Sequence, residues 1–406
     1  MINQLKDLRS HDGFTSLAIS RFISNFGNGL SPIALAYGVL SIPGADGSDL
    51  SLVMAARFVP MIAFMLFGGV IGDRFKRNRI VGTVDIIGSF FAAVSAISFI
   101  VGFPSVWLLA LMGALFGILN ALWWPAMSGV MPEILPREKL QHGNAVIGLM
   151  TNIGFIAGTL LGGIMVTLYG SGWALLIDAI TFFIAGVLVL NIDLPAMPPR
   201  EKNSVFNDLK LGWVEFSSRS WVVAMVVTFA AINACFEAML QVLGPLAFDK
   251  GDSGPRNWSY NLAALTVGMI IGSAVALKIK FPRPLAISMI LIATSALWDF
   301  SIAAELPLIF AVIGAMFSGF AIEIFMVNWN TSMQKHIPEQ SFSRVASYDA
   351  FGSYGIAPLG IVIAGPIAAT IGISNALWWT GGITCVVALL SLLVKSVRDL
   401  RLVEPN

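Results

Sequence analysis

Apolar runs of about 20 residues or more follow one another along this chain with little between them. Charged or turn-rich breaks separate runs at about 14–40, 50–72, 80–102, 105–132, 142–169, 173–193, 221–248, 258–280, 284–304, 306–334, 343–370 and 373–395, which makes twelve. A helix crosses the hydrocarbon core of a bilayer in about 20 predominantly apolar residues. In lipid every backbone N–H and C=O has to be bonded within the protein, so such runs fold as helices. Only 12% of the 406 residues carry charge and 57% are apolar, against roughly 25% and 45–50% in soluble domains. Too few solvated groups remain to cover a water-facing surface. The sequence predicts an all-α integral membrane protein with short loops and no soluble domain. No small-residue cleavage pattern follows the first run, which is read as a retained helix rather than a removable signal.

Lys and Arg concentrate in cytoplasmic loops. With the N-terminus and every second connection on one side, that side collects twenty of the 24 basic residues, among them Arg74, Lys76, Arg77, Arg137, Lys139 and Arg344. Lys250 and Arg256 fall on the other side, and Arg21 and Arg57 lie within runs. Both termini are expected in the cytoplasm. The longest polar break, Pro195 to Ser220, contains Pro198-Pro199-Arg200-Glu201-Lys202 and divides the runs six and six. The expected organisation is an N-terminal bundle 1–194, a cytoplasmic linker 195–220 and a C-terminal bundle 221–406. Faint self-similarity appears at an offset of 202 residues: Gly117 and Gly319, Pro136 and Pro338, Gly158 and Gly360, Gly163 and Gly365, Gly170 and Gly372. Parallel six-helix repeats imply two bundles with a cavity between them that opens alternately to each side.

Several function classes drop out. Basic and acidic residues number 24 and 23, so no basic excess exists to meet nucleic-acid phosphates. Cys235 and Cys385 stand alone in apolar runs, and His11, His142 and His336 lie far apart, which supports neither a disulfide framework nor a metal site. The phosphate-binding loop Gly-x-x-x-x-Gly-Lys-Ser/Thr is missing from the sequence, which argues against ATP-driven transport. No nucleophile, base and metal constellation points to an enzyme.

The loop after the second run reads Gly69-Val70-Ile71-Gly72-Asp73-Arg74-Phe75-Lys76-Arg77-Asn78-Arg79. It resembles the cytoplasmic loop motif Gly-x-x-x-Asp-Arg-x-Gly-Arg-Arg/Lys of the major facilitator superfamily. Gly69, Asp73, Arg74 and Arg77 match, Lys76 replaces the second glycine, and Asn78 replaces the last basic residue. Ser20-Arg21-Phe22-Ile23-Ser24-Asn25-Phe26-Gly27-Asn28-Gly29, Leu135-Pro136-Arg137-Glu138-Lys139-Leu140 and His336-Ile337-Pro338-Glu339 are similar to one bacterial branch, the drug:proton antiporter-3 group of macrolide and enterobactin exporters. So are Ser347-Tyr348-Asp349 and Ala357-Pro358-Leu359-Gly360. The resemblance implies twelve transmembrane helices in two pseudo-symmetric six-helix bundles. Two departures stand out. The fourth run carries no basic residue, where antiporters of the superfamily often have an arginine, and the fifth has Thr159 in the position of a proline. By the same resemblance Asp73 docks near the start of the eleventh helix, around Phe342 to Arg344. Gly69, Asp73, Arg74 and Arg77 would then form a latch on the cytoplasmic side. The alternative is a loop kept cytoplasmic by its charges alone.

A charge in hydrocarbon costs several kcal/mol unless it is paired or hydrated, so buried acids are the sharper signal. Glu237 lies midway along the seventh run and Glu323 in the inner half of the tenth. Together with Asp178 and Arg21 they are the candidates for proton coupling or substrate binding, the alternative being an acid that packs or pairs without coupling. Asp85, Asp299 and Asp349 lie nearer the ends of their runs, and Arg57 is the other intramembrane cation. Gly154, Gly158 and Gly162, with Gly163 beside them, mark a helix contact, read either as plain packing or as a moving interface between halves. Phe26, Tyr37, Trp124 and Trp329 are candidates to line an apolar cavity. Trp107, Trp173, Trp258 and Trp378-Trp379 are expected at the outer interface, where tryptophan belts form.

The expected function is export of hydrophobic or amphipathic small molecules against a proton gradient by alternating access. An uptake symporter or facilitator of the same fold is the first alternative, and a non-transporting membrane sensor the second. The expected setting is a bacterial plasma membrane. The expected partners are a small-molecule substrate and the lipid bilayer, with no cofactor, no nucleic acid and a monomeric state.

Overall fold

A computed structural model describes residues 7–72, 75–194, 212–279 and 281–401. The described residues are helical apart from turns and short connections. The principal helices are α1 Phe14–Leu40, α2 Gly47–Gly72, α3 Arg77–Ile100, α4 Val106–Ser128, α5 Leu140–Tyr169 and α6 Ser171–Leu190. They continue with α7 Ser220–Phe248, α8 Gly254–Lys278, α9 Pro284–Ala303, α10 Leu308–His336, α11 Glu339–Ile371 and α12 Ile373–Ser391. Among the described residues, eleven helices are long and apolar enough to cross a membrane, by length and composition. The helix outside that set is α1: its 27 residues span about 40 Å at 1.5 Å each, but Arg21, Asn25, Asn28 and a row of serines interrupt its apolar run.

Three helices are broken. In α7, Pro245 has no N–H to offer the Gln241 carbonyl, which lies four residues back. A π-turn, Met239–Leu243, takes up the fault, and the Gly244 N–H bonds the Met239 carbonyl. The chain of α11 stops at Tyr354 and restarts at Ala357, with Pro358 in its first turn. A third break, at Ala296, interrupts α9.

The chain divides into two compact units. One comprises Met1–Arg200 with Phe248–Ser259, the other Glu201–Ala247 with Tyr260–Asn406. Lipid gives helices no hydrophobic reason to associate, so small residues that permit close approach decide which faces meet. In the first unit Gly154 and Gly158 lie against the Phe22 and Phe26 backbone of α1, and Gly162 lies against Leu30. That row of glycines therefore packs α5 on α1. Gly117 brings α4 onto the carbonyl of Arg57 in α2, and Gly82 and Gly186 bring α3 and α6 together. In the second unit Gly360 packs α11 onto the Ala234 carbonyl of α7, and Gly268 and Gly319 close α8 on α10.

Gly117 and Gly319, and Gly158 and Gly360, are pairs at the 202-residue offset, and each pair does the same work in its own unit. Gly170 and Gly372 are a third such pair. Both have positive φ (84° and 85°) and stand between consecutive helices, ending α5 and α11. Any residue with a Cβ is strained there.

Among the tryptophans expected at the outer interface, Trp107, Trp173, Trp378 and Trp379 are exposed. Trp258 is not: it is buried at 1% against Phe248, ring centroids 5.8 Å apart. Its burial in the first turns of α8, against the last residue of α7, takes it out of any belt.

Candidate functional site

The second unit holds a cavity of about 280 Å³ lined by residues of α7, α9, α10, α11 and α12. One wall is aromatic. Phe229 of α7 stacks on Phe325 of α10 with centroids 3.9 Å apart, and Phe325 stacks on Trp329, four residues and one helical turn away. The spacing of Phe325 and Trp329 places both on one face of α10. Trp221 closes the end of the row, edge-on to Trp329.

Three carboxyl groups enter the same cavity: Glu237, Asp299 and Asp349. The lining residues include no Lys, Arg or His among those described. Each acid is held by neutral donors. Trp329 Nε1 donates to Asp349 Oδ2 at 2.8 Å, and Ser353 Oγ donates to Oδ1 at 3.1 Å. Asn233, on the adjacent turn of α7, donates to the Ser353 carbonyl at 2.9 Å and fixes α11 against α7. Thr380 Oγ1 donates to Asp299 Oδ1 at 2.8 Å. Glu237 has the loosest hold, one bond of 3.2 Å from Gln241 across the π-turn. A carboxylate accepts about four hydrogen bonds, so Glu237 keeps most of its capacity for a ligand. Aromatic faces and uncompensated acids together suit a cation that also carries apolar surface.

The remaining candidates sit elsewhere. Glu323 lies in the α8–α10 seam beside Gly272, where Ser273 Oγ donates to its Oε1 at 2.6 Å, and it is not among the cavity's lining residues. Arg21 and Asp178 belong to the first unit. The Arg21 guanidinium lies 4.7 Å from the centre of the Trp123 ring and interacts electrostatically with Asp85 of α3. Asp178 interacts with Arg57 of α2, which lies over Phe116 at 4.6 Å. Trp329 lines the cavity, but Trp124 is 63% exposed. Phe26 packs beside Gly158 on α5, and Tyr37 is buried next to Gly254. Gly163 faces Ser259 and Arg256.

Of the loop residues, Gly69 falls in the last turn of α2, and Asp73 and Arg74 lie outside the described residues. Arg77 Nη1 donates to the Gly129 carbonyl at 2.9 Å and pairs with Glu133 at 3.2 Å, joining the start of α3 to the end of α4. Partial burial raises the Glu133 carboxyl above the ordinary carboxylate range, and the Arg77 charge opposes that rise. The two residues that break the loop pattern work beside it: Lys76 Nζ donates to the Leu194 carbonyl at 2.7 Å and Asn78 Nδ2 to that of Ile192 at 2.6 Å. This clasp closes an apolar cluster that includes Phe14, Ile80, Val130 and Leu194. Arg77→Ala is expected to cost about 1.5–3 kcal/mol, the usual worth of a hydrogen bond to a charged group. A thermal-unfolding midpoint checks it, with exposed Arg79→Ala expected to leave the midpoint in place.

Sequence reading missed Asp299 and Asp349 as partners of Glu237. The one available signal was the four-residue spacing of Asn233 with Glu237 and of Asp349 with Ser353, which sets two polar residues on one face of each helix. Nothing in the sequence brings those faces together.

Comparison with known proteins agrees with this architecture. The multidrug efflux pump Tap of Mycolicibacterium fortuitum is 26% identical over 363 residues, covering 86% of this chain and 87% of that one. The quinolone resistance protein NorA of Staphylococcus aureus is 26% identical over 241 residues, 57% of this chain and 56% of its own. Among solved structures, the nucleoside transporter NupG superposes with a TM-score of 0.75 at 13% identity, over 94% of this chain and 98% of that one. That likeness bears on the fold alone. The profile of the Major Facilitator Superfamily matches residues 17–358, and the chain belongs to that family.

Proposed function

We propose that this protein is a secondary active exporter of lipophilic, aromatic cations, driven by protons moving the other way. The observation that carries the reading is the cavity of the second unit, where three carboxyl groups and a stacked aromatic wall converge without a basic residue. Relatives named as a multidrug efflux pump and a quinolone resistance protein support the direction of transport. The finer architecture belongs to this proposal: α1 is a twelfth membrane span, six helices fall in 1–194 and six in 221–406, and 195–220 links them in the cytoplasm. The equivalent glycine contacts at a 202-residue offset support two repeats. The strong Lys and Arg bias supports cytoplasmic termini, and bacterial relatives support a bacterial plasma membrane. A monomer working on a proton gradient, with no cofactor, completes the reading.

Ethidium is a suitable probe, because its permanent charge prevents simple weak-base trapping. The purified protein in liposomes with an acidic lumen, membrane potential clamped, is expected to concentrate ethidium inside while protons leave. Equilibration to equal concentrations whatever the pH difference would make the protein a facilitator instead.

A further inference from the structure

The first unit contains a polar strip that the drug cavity does not use. On α1, Ser20, Ser24, Gly27 and Ser31 recur at steps of four, three and four, one face of a helix. Each of the three serines is 8% exposed or less. Asp85, Ser89 and Ser95 of α3 and Asp178 and Thr181 of α6 are buried as deeply. Gly27 rests directly on Asp178 and Thr181, and Gly186 of α6 rests on Asp85. Helices α1, α3 and α6 therefore enclose one seam with an acid towards each end. Asp178 and Gly186 are eight residues apart on α6, so the two acids are separated by roughly 12 Å along the helix axis.

Each acid interacts electrostatically with one arginine of a neighbouring helix. Asp178, 2% exposed, has Arg57 from α2, the Ser31 hydroxyl from α1, and an Oδ1 that accepts no hydrogen bond. It lines a separate cavity of about 40 Å³ with Ser31, Arg57, Ser95 and Phe116, and a water needs only about 10–15 Å³ of such space. Asp85, 3% exposed, has Arg21 from α1 and an unpartnered Oδ2, with Arg21 Nε and Nη1 equally unpartnered. α4 brings Leu109, Met112, Gly113 and Phe116 to the cavity beside Asp178 and Trp123 to Arg21, and none of its side chains is charged. The titratable side chains of α5, His142 and Tyr169, are at its two ends. Further along α1, Tyr37 interacts electrostatically with Asp249. Polar atoms left open in a lipid-embedded core mark a path for ions or protons.

We propose that the coupling proton crosses the first unit along this seam, taken up at Asp178 and passed to Asp85. The inference rests on the export reading above and adds a division of labour: protons in the first unit, drug in the second. On the proposed orientation Asp178, in the second turn of α6, is nearer the outer surface, and Asp85, in the third turn of α3, is nearer the cytoplasm. An outside hydronium gives its proton to Asp178 Oδ1, forming one O–H bond. That bond breaks as the proton moves through water and seam hydroxyls to Asp85 Oδ2, which releases it to cytoplasmic water. Arg57 and Arg21 stay charged throughout and balance whichever aspartate is ionised.

The test uses the full chain in liposomes, with ethidium as the drug probe and a pH-sensitive dye in the lumen. Asp178→Asn and Asp85→Asn are each expected to cut ethidium-dependent proton flux at least tenfold while ethidium Kd changes less than twofold. Asp178→Glu is expected to restore flux to within threefold of wild type. Removing one member of a buried pair endangers folding, whereas replacing both is tolerated. The double variant Arg57→Met with Asp178→Asn therefore repeats the measurement without a stranded charge, and it too is expected to lose the flux. Wild-type flux in that double variant, or in Asp85→Asn, overturns the seam and leaves export standing. A wild type that concentrates no ethidium and moves no protons overturns the export reading first, and the seam with it.

Discussion

Glu237→Gln is expected to weaken ethidium binding by ten- to a hundredfold, the largest loss of any single substitution among the cavity acids. At an effective dielectric constant of 20, two unit charges about 5 Å apart attract by roughly 3 kcal/mol. Part of that is spent on desolvation, and a net loss of about 1.4–2.7 kcal/mol corresponds to the stated range. Glutamine keeps the size of the side chain, so the change isolates charge. Glu237 has more to lose than its neighbours because a single hydrogen bond of 3.2 Å from Gln241 holds it. Asp349 already serves Trp329 and Ser353, and Asp299 serves Thr380. Asp349→Asn should therefore cost less in affinity and more in stability, since it disturbs the Trp329 and Ser353 bonds. Equilibrium ethidium fluorescence titration on the purified protein measures both affinities, and thermal-unfolding midpoints measure the stabilities. Unchanged affinity in Glu237→Gln would remove this cavity as the drug site.

How far the sequence reached this site depends on which physical signal each residue carries. Apolar run length is a one-dimensional quantity, and it located the helices to within a few residues; α1 was the exception on composition, because Arg21, Asn25, Asn28 and its serines dilute its apolar run. Burial of an acid in an apolar run is equally local, so Glu237 and Asp178 stood out. Partnership is not local. Glu237 and Glu323 look alike along the chain, yet Glu237 enters a cavity and Glu323 meets Ser273 across a helix seam. The difference lies in helix rotation, fixed by glycines at positions 268, 272 and 319 acting across two elements. Arg57 with Asp178, and Arg21 with Asp85, come from helices far apart in sequence, which no spacing rule reaches. A proline such as Pro245 removes one helical hydrogen bond wherever it stands, but only the fold shows that fault resolved as a π-turn beside Glu237, a kind of irregularity that gathers at functional sites.

Gly158→Leu and Gly360→Leu are expected to be strongly destabilising, and to be so in equal measure. A Cβ built on Gly158 overlaps the Phe26 carbonyl, and one on Gly360 overlaps the Ala234 carbonyl. Both obstacles are backbone atoms, which no rotamer change can move, so α1 and α5, or α7 and α11, must part. Extra methylenes forced into a well-packed core cost about 1–3 kcal/mol when side chains alone can yield. Here the helices lose their whole contact face, and the expected cost exceeds that range. Gly148 in α5 and Gly382 in α12 have open space where a Cβ would go. Leucine there is expected to be neutral or to stabilise by up to about 1 kcal/mol, the helix propensity gained on replacing glycine. Thermal-unfolding midpoints and the fraction of monodisperse protein report all four variants. Equal damage from positions 158 and 360 is what a true internal repeat requires, because the same contact is built twice from residues 202 apart. Large damage at one position and little at the other would mean that the shared spacing is coincidence and that each unit is packed internally by its own contacts.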